Sequence, residues 1–273
     1  MTPPTVLTIA GSDSGGGAGI QADLRTLFAC GVHGLTAVTA VTVQNSIGVT
    51  GIVEIPPDVV AAQIEAVAVD IGIGAAKTGM LANAEIILAI AGAADRVGIG
   101  RGGSTPFVVD PVSASMGGDQ LLQDNALDAL RAELFPRATV ITPNLDEVRL
   151  LTGIDVTDMA TQRDAAKALF DYGPEWVVVK AGHMKNVDDC VDLLYDGSTF
   201  HELPGPRFDT GNTHGSGDTL ASAISSQLAR GSSVPEAVAF GKRFIVRSVR
   251  DSYPLGQGHG PVSPFWRLSQ EEV

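Results

Sequence analysis

Basic residues are scarce in this chain. Its 273 residues include 18 Lys and Arg against 31 Asp and Glu, a formal net charge of −13. A surface this negative repels phosphate backbones and anionic lipid, so neither nucleic acid nor a membrane is expected as a partner. An anionic small molecule would need local backbone N–H groups or a metal ion to hold it. Cysteine is scarcer still. Cys30 and Cys190 are the only two, too few for a disulfide framework and wrongly spaced for zinc. The opening MTPPTVLTIAG has no basic residue before Arg25, so no secretory signal is read. The most apolar windows, such as Glu85–Ala94, are too short or too broken to span a bilayer. The expectation is a soluble, cytoplasmic protein. Hydrophobic residues make up 44%, enough for a large buried core.

Short apolar runs rich in Val, Ile and Thr alternate with helical patterns. Strands are predicted at Val6–Ala10, Leu35–Val43, Ala75–Thr78, Pro106–Val109, Thr139–Ile141, Trp176–Lys180 and Val191–Tyr195. Several of these are continuously apolar, as strands buried on both faces of a parallel sheet are. Helices are predicted at Ile20–Cys30, Pro57–Val69, Ala84–Asp95, Asp124–Leu134, Leu145–Thr152, Thr161–Tyr172, Leu220–Arg230 and Pro235–Ser248. The alternation predicts an α/β fold, a mostly parallel central sheet with helices on both faces. No stretch is long enough for an interdomain linker, so one domain over residues 1–273 is expected. Leu255–Pro264 reads as a C-terminal tail.

Two glycine-rich loops stand out. The first, Gly11–Gly19, follows a strand and opens a helix, where glycines let backbone approach a ligand. Asp23 lies one turn into that helix, at the edge of the apolar stripe Ile20, Leu24, Leu27 and Phe28. It is either a site residue or a carboxylate favoured by the helix dipole. Gly17-x-Gly19-x-x-Ala22 also fits a dinucleotide fingerprint, but the second strand ends in Gln44, Asn45 and Ser46 rather than in the ribose-binding acid. No Gly-Lys-Ser/Thr follows, which excludes a P-loop. The second loop, Thr210–Thr219, precedes a strong helix. Gly215, Ser216 and Gly217 would offer N–H groups to the charge on a phosphoryl group in flight, and Asp218 could take a proton from an attacking hydroxyl.

Polar residues also gather at the carboxyl ends of the predicted strands, where open α/β sheets bind ligands. They are Gln44 and Asn45; Lys77, Thr78 and Met80; Asp110; Asn144 and Glu147; and Lys180. Each has a plainer reading. Asn144 with Glu147 makes a capping box, Met80 suits a core and Lys180 a solvated strand end. The five His have no metal-ligand spacing. Two acids and a Lys at adjacent strand ends nevertheless suit Mg²⁺ and a polyphosphate.

With these residues in hand, the sequence resembles the ribokinase-like superfamily, and within it the hydroxymethylpyrimidine/phosphomethylpyrimidine kinases of thiamine biosynthesis. The resemblance is carried by TIAGSDSGGGAGIQADL at Thr8–Leu24, TAVTVQNS at Thr39–Ser46, KTGML at Lys77–Leu81, VVDPV at Val108–Val112, TPNLDE at Thr142–Glu147, VKAGH at Val179–His183 and NTHGSGDT at Asn212–Thr219. It implies a ribokinase-like fold and two successive phosphoryl transfers from ATP, first to the hydroxymethyl group of an aminopyrimidine and then to its monophosphate. It further implies that Gln44 bonds the pyrimidine edge, with Gly11, Asp23 and Met80 lining its pocket. Asn144, Asp110 and Lys180 would serve the ATP phosphates, Glu147 and Asp110 the Mg²⁺, Gly215–Gly217 the anion hole, and Asp218 the base. A homodimer is expected from the family alone, and no fused thiamine-phosphate synthase is expected. One departure is plain: family members commonly carry Gly-Thr-Gly-Cys where this chain has Gly215-Ser216-Gly217-Asp218. Pyridoxal kinase is the nearest alternative. An NAD-dependent oxidoreductase and a non-catalytic nucleotide-binding protein are more distant ones.

Overall fold

In the computed structural model, which describes residues 2–113, 124–182 and 190–268, the continuous apolar runs become one sheet. Its strands are β1 (Thr5–Ser12), β2 (His33–Gln44), β3 (Val49–Glu54), β4 (Ala75–Thr78), β5 (Phe107–Val109), β6 (Val140–Ile141), β7 (Trp176–Val179), β8 (Asp192–Tyr195) and β9 (Phe200–Leu203), in the order β3-β2-β1-β4-β5-β6-β7-β8-β9. The six from β2 to β7 run parallel. The outer strands β3, β8 and β9 join antiparallel.

Side chains along each buried strand alternate between two apolar layers, because the strand period is two. Leu7, Ile9, Phe107, Val109, Ile141, Val177 and Val179 face one layer. It is closed by α2 (Pro57–Asp70), α3 (Ala84–Val97), α4 (Asp124–Ala129), α5 (Leu145–Thr152) and α6 (Met159–Phe170), through residues such as Ile64, Ile90, Leu151 and Leu169. Val6, Ala75, Val108, Val140, Val178 and Leu194 face the other. That layer is closed by α1 (Gly19–Ala29), α7 (Ser216–Leu228) and α8 (Val234–Arg250), through Leu27, Ile224 and Phe244.

The differences from expectation have local causes. Neither β3 nor β9 was expected. In β3, Gly51 interrupts the pattern and most side chains are exposed, and β9 has only four residues. Both are edge strands, where no packing enforces an alternating pattern. The sixth predicted strand stops at Val179, and Lys180 continues only as a single bridge to Asn144. Helix α6 starts two residues early, because Asp158 and Thr161 cap it reciprocally. The expected tail is not one. Gln257 and Gly258 donate backbone N–H groups to Ser46 Oγ, His259 N–H donates to Ser46 O, and His214 N–H to Gly260 O. This segment straps the loop after β2 to the loop before α7. His183, the last residue of the VKAGH match, lies outside the described residues.

Candidate active site

A cavity of about 920 Å³ opens along the carboxyl edge of the parallel strands. Because the sheet order is fixed, its lining follows that order: Gln44 from β2, Gly11 from β1, Met80 after β4, Asp110 after β5, Asn144 after β6 and Lys180 after β7. Gly215 to Asp218 close it from α7. Eleven of the twelve residues to which the resemblance gives a site role therefore face one space; Asn45, Lys77 and Thr78, also noted at strand ends, do not line it.

Asp23 is the twelfth, and it does not. It is fully buried on α1 and is absent from the cavity lining. Its carboxylate accepts from Lys77 Nζ at 2.8 and 3.0 Å, from Thr8 Oγ1 at 2.6 Å and from Ser222 Oγ at 2.7 Å. The expected pocket role is thus replaced by a buried ion pair beneath the cavity floor. Burial lifts the Asp23 pKa to about 6, against the pull of Lys77 and with a push from Asp218. Burial works against the charge on Lys77, but Asp23 and Asp218 outweigh it and hold the ammonium protonated above its ordinary range.

The first glycine loop is also not the anion cradle that its composition suggests. Asp13 turns into it and accepts the N–H groups of Gly15, Gly17 and Ala18 at 2.8, 3.0 and 2.8 Å. The amides that would hold a pyrophosphate already hold a carboxylate of the chain itself, which removes the dinucleotide reading of Gly17-x-Gly19-x-x-Ala22. His214 Nε2 adds a fourth contact to Asp13 at 3.0 Å. Burial raises the Asp13 pKa, but the His214 bond and the amides outweigh it, and it lies below the ordinary value.

The second loop keeps donors free. Gly215 is the N-cap of α7 at φ +75°, and a Cβ there would collide with the Gly17 carbonyl. Only glycine fits, because the two loops touch backbone to backbone. Ser216 N–H is spent on Thr213 O at 3.1 Å, so this amide drops out of the expected anion hole. Gly217 and Asp218 donate theirs to no atom among the described residues. A Cβ on Gly217 would lie 3.1 Å from Asp110 Oδ2 and 3.4 Å from Lys180 Nζ. The missing side chain is what lets that ion pair approach the helix start. Asp218 is held at both oxygens, Oδ1 at 3.4 Å from Lys77 Nζ and Oδ2 accepting from Gly19 N–H at 3.2 Å.

Lys180 Nζ donates to Asp110 Oδ1 at 2.9 Å and lies 3.9 Å from Glu147 Oε2. Thr142 Oγ1 supports the same Asp110 oxygen at 2.8 Å. Asn144 and Glu147 form the capping box in full, so the plainer reading of that pair is correct as local structure. It does not compete with a site role, because both residues line the cavity. Burial pushes Glu147 up to about 8; Lys180 opposes this and Asp110 reinforces it. Among the described residues no three His, Cys, Asp or Glu gather as a metal cage.

At the other end, Gly11 sits in a bulge of β1, and a Cβ there would press on Met80 Cε. Gln44 lies within 3.1 Å of Thr42 Oγ1 and 3.5 Å of His214 Nε2. His214 is the main residue that sequence reasoning missed. It has no metal-ligand spacing, yet from the second glycine loop it joins Asp13 of the first to Gln44 at the end of β2. Lys242 was missed as well. From α8 it bonds Asp192 Oδ2 at 2.9 Å, whose other oxygen accepts Ala181 N–H at 2.8 Å, and so fixes the chain just past Lys180. A Lys on the inner face of an amphipathic helix was the available signal.

The model of the phosphomethylpyrimidine kinase family matches residues 13–263. The chain belongs to this family. A hydroxymethylpyrimidine/phosphomethylpyrimidine kinase of Mycobacterium leprae is 60% identical over 97% of this chain and 95% of its own. A thiamine biosynthesis bifunctional protein of Geobacter sulfurreducens is 46% identical over 98% of this chain, and the match spans 53% of that longer protein. Among solved structures, an ADP complex of Bacillus subtilis pyridoxal kinase superposes with a TM-score of 0.89 at 38% identity, covering 98% of this chain and 100% of that one. Within the family fold, the cavity described here is where both glycine loops meet. No helix among the described residues is long and apolar enough to cross a membrane.

Proposed function

We propose that this protein transfers the γ-phosphoryl group of ATP to the hydroxymethyl group of 4-amino-5-hydroxymethyl-2-methylpyrimidine, and then to the monophosphate so formed, in thiamine biosynthesis. The observation that carries the reading is the placement of Asp218. It stands where two unspent helix-start amides, the Lys180–Asp110 pair and the pyrimidine-side residues all border one cavity. An acceptor hydroxyl set there gives its proton to Asp218 as its oxygen bonds the γ-phosphorus. The bond from that phosphorus to the bridging oxygen breaks, and ADP leaves with the electron pair. The amides of Gly217 and Asp218 face the charge on the moving phosphoryl group, and Lys180 faces the phosphates of the leaving group.

Mg²⁺ is proposed as the accompanying ion. The residues fit it: Asp110 and Glu147 are buried hard oxygen donors, too few to cage a resident ion, which suits a cation that arrives with ATP and keeps water and phosphate ligands. When bound, it would neutralise charge on the β- and γ-phosphates. A single kinase domain, a homodimer and a cytoplasmic location complete the proposal.

The test is ATP consumption with three acceptors: the hydroxymethylpyrimidine, its monophosphate and pyridoxal. Turnover with both pyrimidines, at higher kcat/KM than with pyridoxal, supports the reading. A preference for pyridoxal overturns the substrate assignment. Turnover with the first pyrimidine alone overturns the second transfer. Gln44 gives a narrower check. An amide both donates and accepts, as an aminopyrimidine edge requires. Gln44→Ala therefore raises KM for the pyrimidine about tenfold, roughly one charge-free hydrogen-bond pair's worth, and leaves KM for ATP in place. A rise in the ATP KM instead would show the two half-sites reversed.

A further inference from the structure

Lys77 and Asp23 face neither substrate pocket nor solvent. Both side chains are 0% exposed. A buried ion pair adds little stability over an apolar pair of the same volume, so its presence under a proposed catalytic group calls for another reason. Lys77 has three N–H bonds, and the geometry spends all of them. Two go to Asp23, at 2.8 and 3.0 Å, and the third points to Asp218 Oδ1 at 3.4 Å. Asp23 is fixed in turn by Thr8 of β1 and Ser222 of α7. Gly79 leaves the room: a Cβ there would sit 3.3 Å from Lys77 Nζ and 3.4 Å from Asp218 Oδ1.

We propose that the Asp23–Lys77 pair positions Asp218 and sets its affinity for the proton, with Asp23 holding back a cation that would otherwise close on Asp218. The proposal rests on the kinase reading above. One ammonium stands between two carboxylates and is drawn mainly to Asp23. Asp218 is thereby aimed, through Lys77 on one oxygen and Gly19 N–H on the other. Without Asp23, Lys77 would pair one-to-one with Asp218 and weaken it as a base. Without both, Asp218 would lose its nearest cation and accept a proton at higher pH. The other charges facing this position are Asp110 and Lys180 from the ends of β5 and β7, Glu147 behind Lys180 on α5, and the Asp13–His214 pair of the two loops. All of them remain in every variant below.

The experiment compares pH profiles of kcat for the wild type, Asp23→Asn, and the double variant Asp23→Asn with Lys77→Met, each at saturating ATP and pyrimidine. The two variants should move the acid limb in opposite directions. Asp23→Asn shifts it to lower pH with a reduced plateau. The double variant shifts it to higher pH by about 1 unit, the lower end of what an adjacent opposite charge does. KM for ATP stays within about twofold in both, since neither residue reaches the cavity. A merely structural role would lower the melting temperature and leave both limbs in place, which overturns the proposal, as do limbs moving in the same direction. If Asp23→Asn does not fold, the double variant decides alone, because it removes a balanced pair; a limb unmoved or moved to lower pH then overturns it. Loss of the kinase reading itself shows separately, as absence of pyrimidine turnover in the wild type.

Discussion

Replacing Asp218 by Asn lowers kcat about 10²–10⁴-fold, the usual worth of a positioned general base. A neutral hydroxymethyl group is a poor nucleophile, and Asp218 is the carboxylate at the free amides of α7. The Asn side chain keeps the shape but not both contacts. Lys77 Nζ and Gly19 N–H are donors that face the two Asp218 oxygens. Whichever way the Asn amide turns, its NH₂ meets one of them. A modest loss of melting temperature therefore accompanies the loss of rate, while KM for ATP and pyrimidine changes little, because the base acts mainly in the transition state. Asp218→Cys recovers part of the rate, and the recovery grows toward the thiol pKa of about 8.5. Steady-state kinetics of the first phosphorylation check this; the second acceptor is a phosphate oxygen already largely ionised at neutral pH, and the substitution costs that step less. A loose transition state with little proton transfer would shrink the effect, and a near-normal kcat in Asp218→Asn would leave the loop with only its anion-holding amides.

The parts of this molecule that could be read from its sequence are those that repeat a local rule. Continuous apolar runs mark β1, β5 and β7 as parallel strands, since burial on both faces tolerates them. The helix predicted at Leu220–Arg230 followed from its local apolar face in the same way, though it starts earlier, at Ser216 behind Gly215. Eleven of the twelve residues given a site role share one cavity because parallel strands present their carboxyl ends together. What could not be read depends on distant partners. Asp23 occupies a helix position that fits a pocket or a core equally well, and only the arrival of Lys77 from 54 positions away decides it. Asp13 occupies three amides of the first loop through contacts a composition cannot show. His214 acquires meaning only when Asp13 and Gln44 come within reach, and the C-terminal strap only when Ser46 does. The edge strands β3 and β9 escaped because exposure relaxes the pattern that identifies a strand.

Lys180→Met is expected to lower kcat/KM for ATP about 10²–10³-fold, the cost of removing one preorganised charge contact from a phosphoryl-transfer site. The net charge of −13 makes this position matter more, because an incoming polyphosphate meets few other cations. Asp110, 1% exposed, loses its only ion-pair partner among the described residues and keeps Thr142. Breaking a buried pair by removing one member costs about 3–5 kcal/mol; the remaining hydroxyl and the 12% exposure of the Lys180 side chain place this site at the low end. The variant should also change the demand for Mg²⁺. With a pKa of about 8, Glu147 is largely protonated at neutral pH, so a cation must displace a proton to bind it. The wild-type Mg²⁺ requirement therefore falls as pH rises from about 7 to about 9. Lys180 favours the ionised form of Glu147; without it the carboxyl stays protonated to higher pH, and the fall in Mg²⁺ requirement moves upward with it. Lys180→Arg restores little, since a planar, forked guanidinium does not reproduce the point charge that Lys180 Nζ places 2.9 Å from Asp110 Oδ1. Mg²⁺ titrations of activity at three pH values, with thermal melts of both variants, measure all of these effects. A Lys180→Met enzyme with kcat/KM for ATP within about threefold of wild type and an unshifted Mg²⁺ profile would reduce Lys180 to a counter-ion for Asp110, since a lost phosphate contact costs at least a factor of about ten.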